Sequence, residues 1–289
     1  MGRTNTDARK DGMKFPKFWA RGTSGSFSSW QWSDSSVEEA RNLAQQEAFR
    51  LEMQFNSNGR PDQRYGYANR PLREPVLREL LDAAGQPAHV ITRNSYGCQV
   101  LNSTTALFVD VDLPQASSKP AGIFSALFGG RSAPTETPEQ KAVAKAKQWA
   151  ASQPWWNWRI YRTRAGLRLL ATHALFDPAD PLCESVFEAV DADHLYRKLC
   201  QTQECFRARL TPKPWRIGIS NPPVRWPYED LLAERNFSDW DARYQAACRM
   251  KATCHLLEPG SGRIHSDLEP LIALHDEMTR AATPGLALA

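Results

Sequence analysis

Asp110 and Asp112 are the residues whose type and spacing speak most directly of chemistry. They close an apolar run, Thr105-Ala106-Leu107-Phe108-Val109-Asp110-Val111-Asp112-Leu113-Pro114, that is rich in β-branched residues and stopped by a proline. A run of this length and composition reads as a buried strand. Side chains two apart on a strand share a face, so both carboxylates leave one face near the strand's C-terminal end. Side by side they repel, and burial sharpens the conflict. Three arrangements resolve it. The carboxylates can cap a solvated turn, hold Mg²⁺ or Mn²⁺, or pair with arginine.

Two basic stretches follow. In Trp158-Arg159-Ile160-Tyr161-Arg162-Thr163-Arg164-Ala165-Gly166-Leu167-Arg168, Arg162 and Arg164 share a strand face, and Arg168 lies across a tight turn. Guanidinium forks grip phosphates in pairs of hydrogen bonds; a solvated strand face is the plainer reading. In Phe206-Arg207-Ala208-Arg209-Leu210-Thr211-Pro212-Lys213-Pro214-Trp215-Arg216, Arg207 and Arg209 alternate with apolar residues. Lys213 and Arg216 extend the charge around Trp215, and Pro212 and Pro214 hold them with little entropy to lose. Four positive charges in the ten residues from Arg207 to Arg216 make a preset anion site, and an aromatic ring between basic residues suits stacking on a nucleobase.

These residues need elements to position them. The 289 residues allow one large domain or two small ones, and 42% hydrophobic and 24% charged residues are ordinary for a globular chain. The net charge of +4 permits a polyanionic partner without demanding one. No stretch approaches the roughly 20 apolar residues of a membrane span, and the polar, basic start is unlike a secretory signal. The expectation is a cytoplasmic protein with no membrane partner. Its six cysteines are too sparse for a disulfide scaffold and read as reduced thiols. Cys200, Cys205, Cys248, Cys254 and His255 could be gathered on a zinc ion, but spacings of four and five on helices point the thiols to different faces. His173 is a strand-end histidine or a base. Neither a Walker loop nor a Gly-x-Ser-x-Gly elbow is present.

The expected organisation is a disordered basic arm at 1–14, an α+β domain at 15–227 and a helical C-terminal region at 228–289. Short strands around a Gly/Ser turn are expected at 15–32, then a helix opened by Ser33-Asp34-Ser35-Ser36 and running to about Phe55. A short helix is expected from Pro75 to Ala84. Strands at His89–Arg93 and Cys98–Leu101 lead into the Asp-x-Asp strand as a three-stranded antiparallel run. Residues 115–137 read as a flexible insertion, and Pro138–Gln153 as a helix with proline in its first turn. A hairpin at 159–172 follows, then helices near 182–190 and 193–200, and strands at 206–210 and 215–219. Helices are expected from Tyr228 to about Cys254 and from Ser266 to Arg280. The fold class is α+β, mostly antiparallel sheet with flanking helices.

The order of these elements resembles the palm of the archaeo-eukaryotic primase (primase-polymerase) superfamily, over residues 88–220. In that family an Asp-x-Asp holds two metals, and a later strand carries a glycine turn followed by Leu-His. A third acid and a basic loop complete the nucleotide site. Asp110 and Asp112 match the first motif and Gly166-Leu167 part of the second. Arg168 stands where the family has histidine, and Asp177, Asp191 and Asp193 are the candidates for the third acid. The resemblance implies metal-dependent nucleotidyl or phosphoryl transfer by a nucleotidyltransferase acting on nucleic acid or nucleotides. Asp110, Asp112 and Arg168 would be catalytic, with Mg²⁺ or Mn²⁺ on Asp110 and Asp112. Arg162, Arg164, Arg207, Arg209, Lys213, Trp215 and Arg216 would bind the nucleic acid. There are two alternatives: a catalytically inactive nucleic-acid-binding module using the same Arg/Trp face, and a protein-interaction domain presenting its Trp-rich surfaces.

Overall fold

The computed structural model describes residues 13, 15–58, 71–82, 85, 87–114, 136–153 and 155–289. The protein is α+β, with antiparallel sheets and six α-helices among the described residues. It divides into two compact units. The first takes residues 1–105 and 198–250, the second 106–197 and 251–289. The expected basic arm and most of the expected insertion fall outside the described residues.

In the first unit, β1 (Phe18–Ser24) and β2 (Phe27–Ser33) form an antiparallel ribbon under α1 (Val37–Asn58). The stripe Ala40, Ala44 and Ala48 recurs every fourth residue and is fully buried against the ribbon. Small residues let helix and strand touch: a Cβ on Gly22 would lie 2.2 Å from the Ala44 carbonyl carbon. The opposite ribbon face carries Trp19, Trp30 and Trp32. The sheet runs β3 (Val76–Leu81), β4 (Pro87–Arg93), β5 (Gln99–Ser103), β9 (Phe206–Arg209). The expected helix at 75–84 is therefore an edge strand. Its Leu, Arg and Glu residues favour helix weakly, and pairing along β4 overrides that preference. Trp215 sits not on a strand but on a 3₁₀ turn, Pro214–Ile217, since Pro212 and Pro214 cannot donate to a ladder. α5 (Leu231–Cys248) buries Trp240, Tyr244 and Cys248 against Ile217, Ile219 and Phe237.

In the second unit the sheet order is β10 (Cys254–Glu258), β7 (Trp158–Thr163), β8 (Gly166–Ala171), β6 (Phe108–Asp112), all antiparallel. Thus β4 and β5 do not continue into β6 as one run: β6 belongs to a different sheet, and the chain changes unit between them. The expected helical C-terminal region contains the strand β10, whose partner β7 lies far away in sequence. α2 (Pro138–Ser152) starts at a capping box between Thr137 and Gln140. α3 (Pro181–Ala189) is capped by Asp180; α4 (His194–Gln203) begins in this unit and passes into the first at residue 198, and α6 (Glu269–Thr279) is the last helix. All six cysteines are free and buried.

Candidate functional site

The acidic strand is answered by its neighbour. In the β6–β8 ladder Asp110 faces Arg168 and Asp112 faces Gly166. Arg168 donates from Nε to Asp110 Oδ1 at 3.0 Å and from Nη2 to Oδ2 at 3.5 Å. The arginine side chain is 1% exposed and the aspartate 35%. Burial works against the guanidinium's charge, but the charge of Asp110 leads the opposing interactions, and the Arg168 pKa ends above its ordinary value. Gly166 has a local reason: a Cβ there would stand 1.9 Å from the Val111 carbonyl oxygen.

Arg168 is one link in a polar chain between α6 and the sheet. Its Nη1 lies 3.4 Å from His275 Nε2, and His275 Nδ1 lies 3.1 Å from Asp276 Oδ1. Asp276 also accepts from Tyr161 Oη at 2.7 Å and forms an ion pair with Arg159. The array Asp110, Arg168, His275, Asp276, Tyr161 and Arg159 is satisfied link by link if His275 is neutral, its Nδ1 donating and its Nε2 accepting. Burial agrees: it pulls the imidazole down to about 4, the positive charges of Arg168 and Arg159 work the same way, and Asp276 opposes them. Asp276 is pulled down in turn, since donation from His275, Tyr161 and Arg159 outweighs its own burial.

A pH dependence follows with a definite sign. Folded His275 stays neutral to about pH 4, whereas the unfolded residue takes its proton near 6.5. The contribution is whole above pH 6.5 and is lost as pH falls towards 4, at about 1.4 kcal/mol for each pH unit crossed. His275→Gln is expected to flatten that loss by roughly 2–3 kcal/mol in urea titrations at stepped pH. Identical pH profiles for the two proteins would mean that His275 is not held neutral.

The resemblance asks for a two-metal centre, and the donor set does not fit one. Asp110 is engaged by Arg168. Of the three candidate third acids, Asp191 pairs with Lys145 and Asp177 Oδ1 accepts from Ala179 N. Asp193 donates its N–H to Asp110 O at 2.9 Å, but its carboxylate caps α4 by accepting from Tyr196 N at 2.7 Å. Among the described residues no group of three or more His, Cys, Asp or Glu is placed to hold a metal ion.

The basic residues separate. Arg162 does not join Arg168: the hairpin register sets Arg168 opposite Tyr161 and Arg162 opposite Leu167, so they lie on opposite faces. Arg162 pairs with Glu139 of α2 and donates to Gly166 O at 2.7 Å. Arg164 is exposed at the turn. His173 packs on Trp156, ring centroids 4.4 Å apart, and burial lowers its pKa. In the first unit Arg207 and Arg209 do share a face, but so do Val90, Thr92, Val100 and Asn102, all buried. Arg207 Nη2 donates to both Glu74 oxygens, at 2.9 and 3.0 Å, and Thr92 Oγ1 donates to the same carboxylate. Arg207 is therefore an interior ion pair, not part of an anion clamp. Arg209 is half-buried beside Cys98.

Lys213, Trp215 and Arg216 have a different setting. Trp215 is 48% exposed. Tyr96 meets its ring edge-on at 5.2 Å, and Lys213 Nζ lies 5.3 Å from the ring centroid. α5 pins this loop from below. Tyr244 Oη bonds to Pro212 O at 2.6 Å and lies 2.8 Å from Thr211 Oγ1, while Trp240 Nε1 donates to Ser220 O at 2.8 Å.

Beside Tyr96, Asn94 and Ser95 reach a cavity of about 360 Å³ that sequence reasoning missed. Trp19, Trp30, Trp226, Tyr228, Arg73 and Arg225 are among its walls. The tryptophan-rich stretch at 18–32 was a signal for an aromatic surface. Nothing in the sequence tells that residues near 73 and 226 close over it.

Comparison with protein-family models, curated proteins and solved structures finds no match to this chain. Among the described residues no helix is long and apolar enough to cross a membrane.

Proposed function

We propose that the chain is a non-catalytic module that binds single-stranded nucleic acid through its first unit. The observation that carries this is Trp215: a half-exposed ring on a proline-fixed turn, flanked by Lys213, Arg216 and Tyr96. An exposed ring offers a base a stacking face, and adjacent cations answer the phosphates. Nucleotidyl transfer, as the primase resemblance implies it, needs Asp110 and Asp112 available to a shared cation. The Asp110–Arg168 pair favours binding over transfer.

The experiment is fluorescence anisotropy with a labelled single-stranded oligonucleotide. Trp215→Ala is expected to weaken binding by about 1–3 kcal/mol, the range for loss of one stacked base. Unchanged affinity in that variant would remove Trp215 from the interface.

A further inference from the structure

We infer that the cavity between the tryptophan face of the β1–β2 ribbon and the 222–228 loop is a binding site for a single nucleotide unit, a purine base with its phosphate. The choice of ligand rests on the nucleic-acid reading above; the site itself rests on two separate observations.

The first is shape. At about 360 Å³ the cavity lies at the small end of ligand sites, roughly 300–1,000 Å³. It has room for one base and its sugar phosphate rather than for a longer segment. The second is the lining. Trp19, Trp30, Trp226 and Tyr228 offer flat apolar walls, and the Arg73 guanidinium lies over the Trp30 ring, 4.0 Å from its centroid. Stacked indole and guanidinium planes are what a nucleobase packs against. Of the charged groups lining the cavity, Glu74 is bound to Arg207, and Arg93 is bound to Asp241 through two hydrogen bonds of 2.7 and 2.9 Å. Arg225, exposed next to Trp226, adds a positive charge to the lining, which favours an anion.

The test is calorimetry on the full chain with adenosine 5′-monophosphate, adenosine and inorganic phosphate as separate probes. The monophosphate is expected to bind saturably and at least ~10-fold more tightly than either fragment, because the site uses both halves. Trp30→Ala and Arg225→Glu are each expected to weaken it ~10-fold or more. Absence of monophosphate binding at millimolar concentration overturns the inference, as does equal binding of adenosine, or full affinity in both Trp30→Ala and Arg225→Glu. An oligonucleotide run alongside separates the two proposals. Strand binding without monophosphate binding sinks the pocket alone, while monophosphate binding without strand binding keeps the pocket and removes the strand. Arg225→Glu weakening both ligands identifies the occupant as a nucleotide of the strand; weakening only the monophosphate identifies it as a free nucleotide.

Discussion

Asp110→Ala is expected to lower stability by about 3 kcal/mol. Removing one member of a buried ion pair leaves the other charge uncompensated, typically at a cost of about 3–5 kcal/mol. Arg168 has almost no access to water, so it bears that penalty nearly in full. The partial exposure of Asp110 sets the expectation at the lower end. Replacing both partners, Asp110→Ala with Arg168→Met, removes the stranded charge and is expected to recover most of the loss. Asp112→Ala, on an exposed residue, is expected to cost about 0.5 kcal/mol or less. Denaturant titration gives the totals, and hydrogen exchange gives the place: faster exchange in β6, β8 and α6. An Asp110→Ala protein as stable as wild type would make Asp110 once more a carboxylate open to a cation.

Glu74→Ala is expected to have a comparable or larger effect, about 3–5 kcal/mol. Glu74 is 7% exposed and receives Arg207 and Thr92 together. Asn102 Nδ2 donates to Thr92 Oγ1 at 2.9 Å, so removing the carboxylate also disturbs the next link. Exchange is expected to rise in β3, β4, β5 and β9. Restoration by Glu74→Leu with Arg207→Met identifies the cost as a buried charge rather than a lost shape. Nucleic-acid affinity in that double variant is expected to match wild type, because Arg207 faces the interior. A large loss of affinity there would put Arg207 back in the interface.

Much of this arrangement is legible in local sequence. The alternation that sets Asp110 and Asp112 on one face of one strand is a property of any β-strand, and the β7–β8 hairpin follows from the Arg164-Ala165-Gly166 stretch that joins its strands. Thr137, Pro138 and Gln140 mark the start of α2 through hydrogen bonds that reach only three residues. Partners are what local sequence withholds. Glu74 lies in an irregular segment, 133 residues from Arg207, and only the closed sheet joins them. Strand alternation puts Arg207 and Arg209 on a common face, but it cannot say whether that face meets water or Glu74. Arg168, expected across a turn from Arg162, turns to the other side because the two-residue connection Arg164-Ala165 pairs Arg168 with Tyr161 and Arg162 with Leu167. Val76–Leu81 reads as a helix because Leu, Arg and Glu dominate it, and its strand state depends on β4 alongside.

The central claim, that the Trp215 loop binds single-stranded nucleic acid, is tested most directly by the salt dependence of that binding. Lys213, Arg216 and one further cation answering about three phosphates give an expected slope of log K against log salt near about −2. Lys213→Ala with Arg216→Ala is expected to flatten the slope by about 1.4. Trp215→Ala is expected to weaken binding at every salt concentration and leave the slope as it was. Anisotropy of one labelled oligonucleotide, titrated at several salt concentrations with these three proteins, reads all of this at once. The account predicts that pattern; absence of binding by the wild-type chain even at low salt would contradict it.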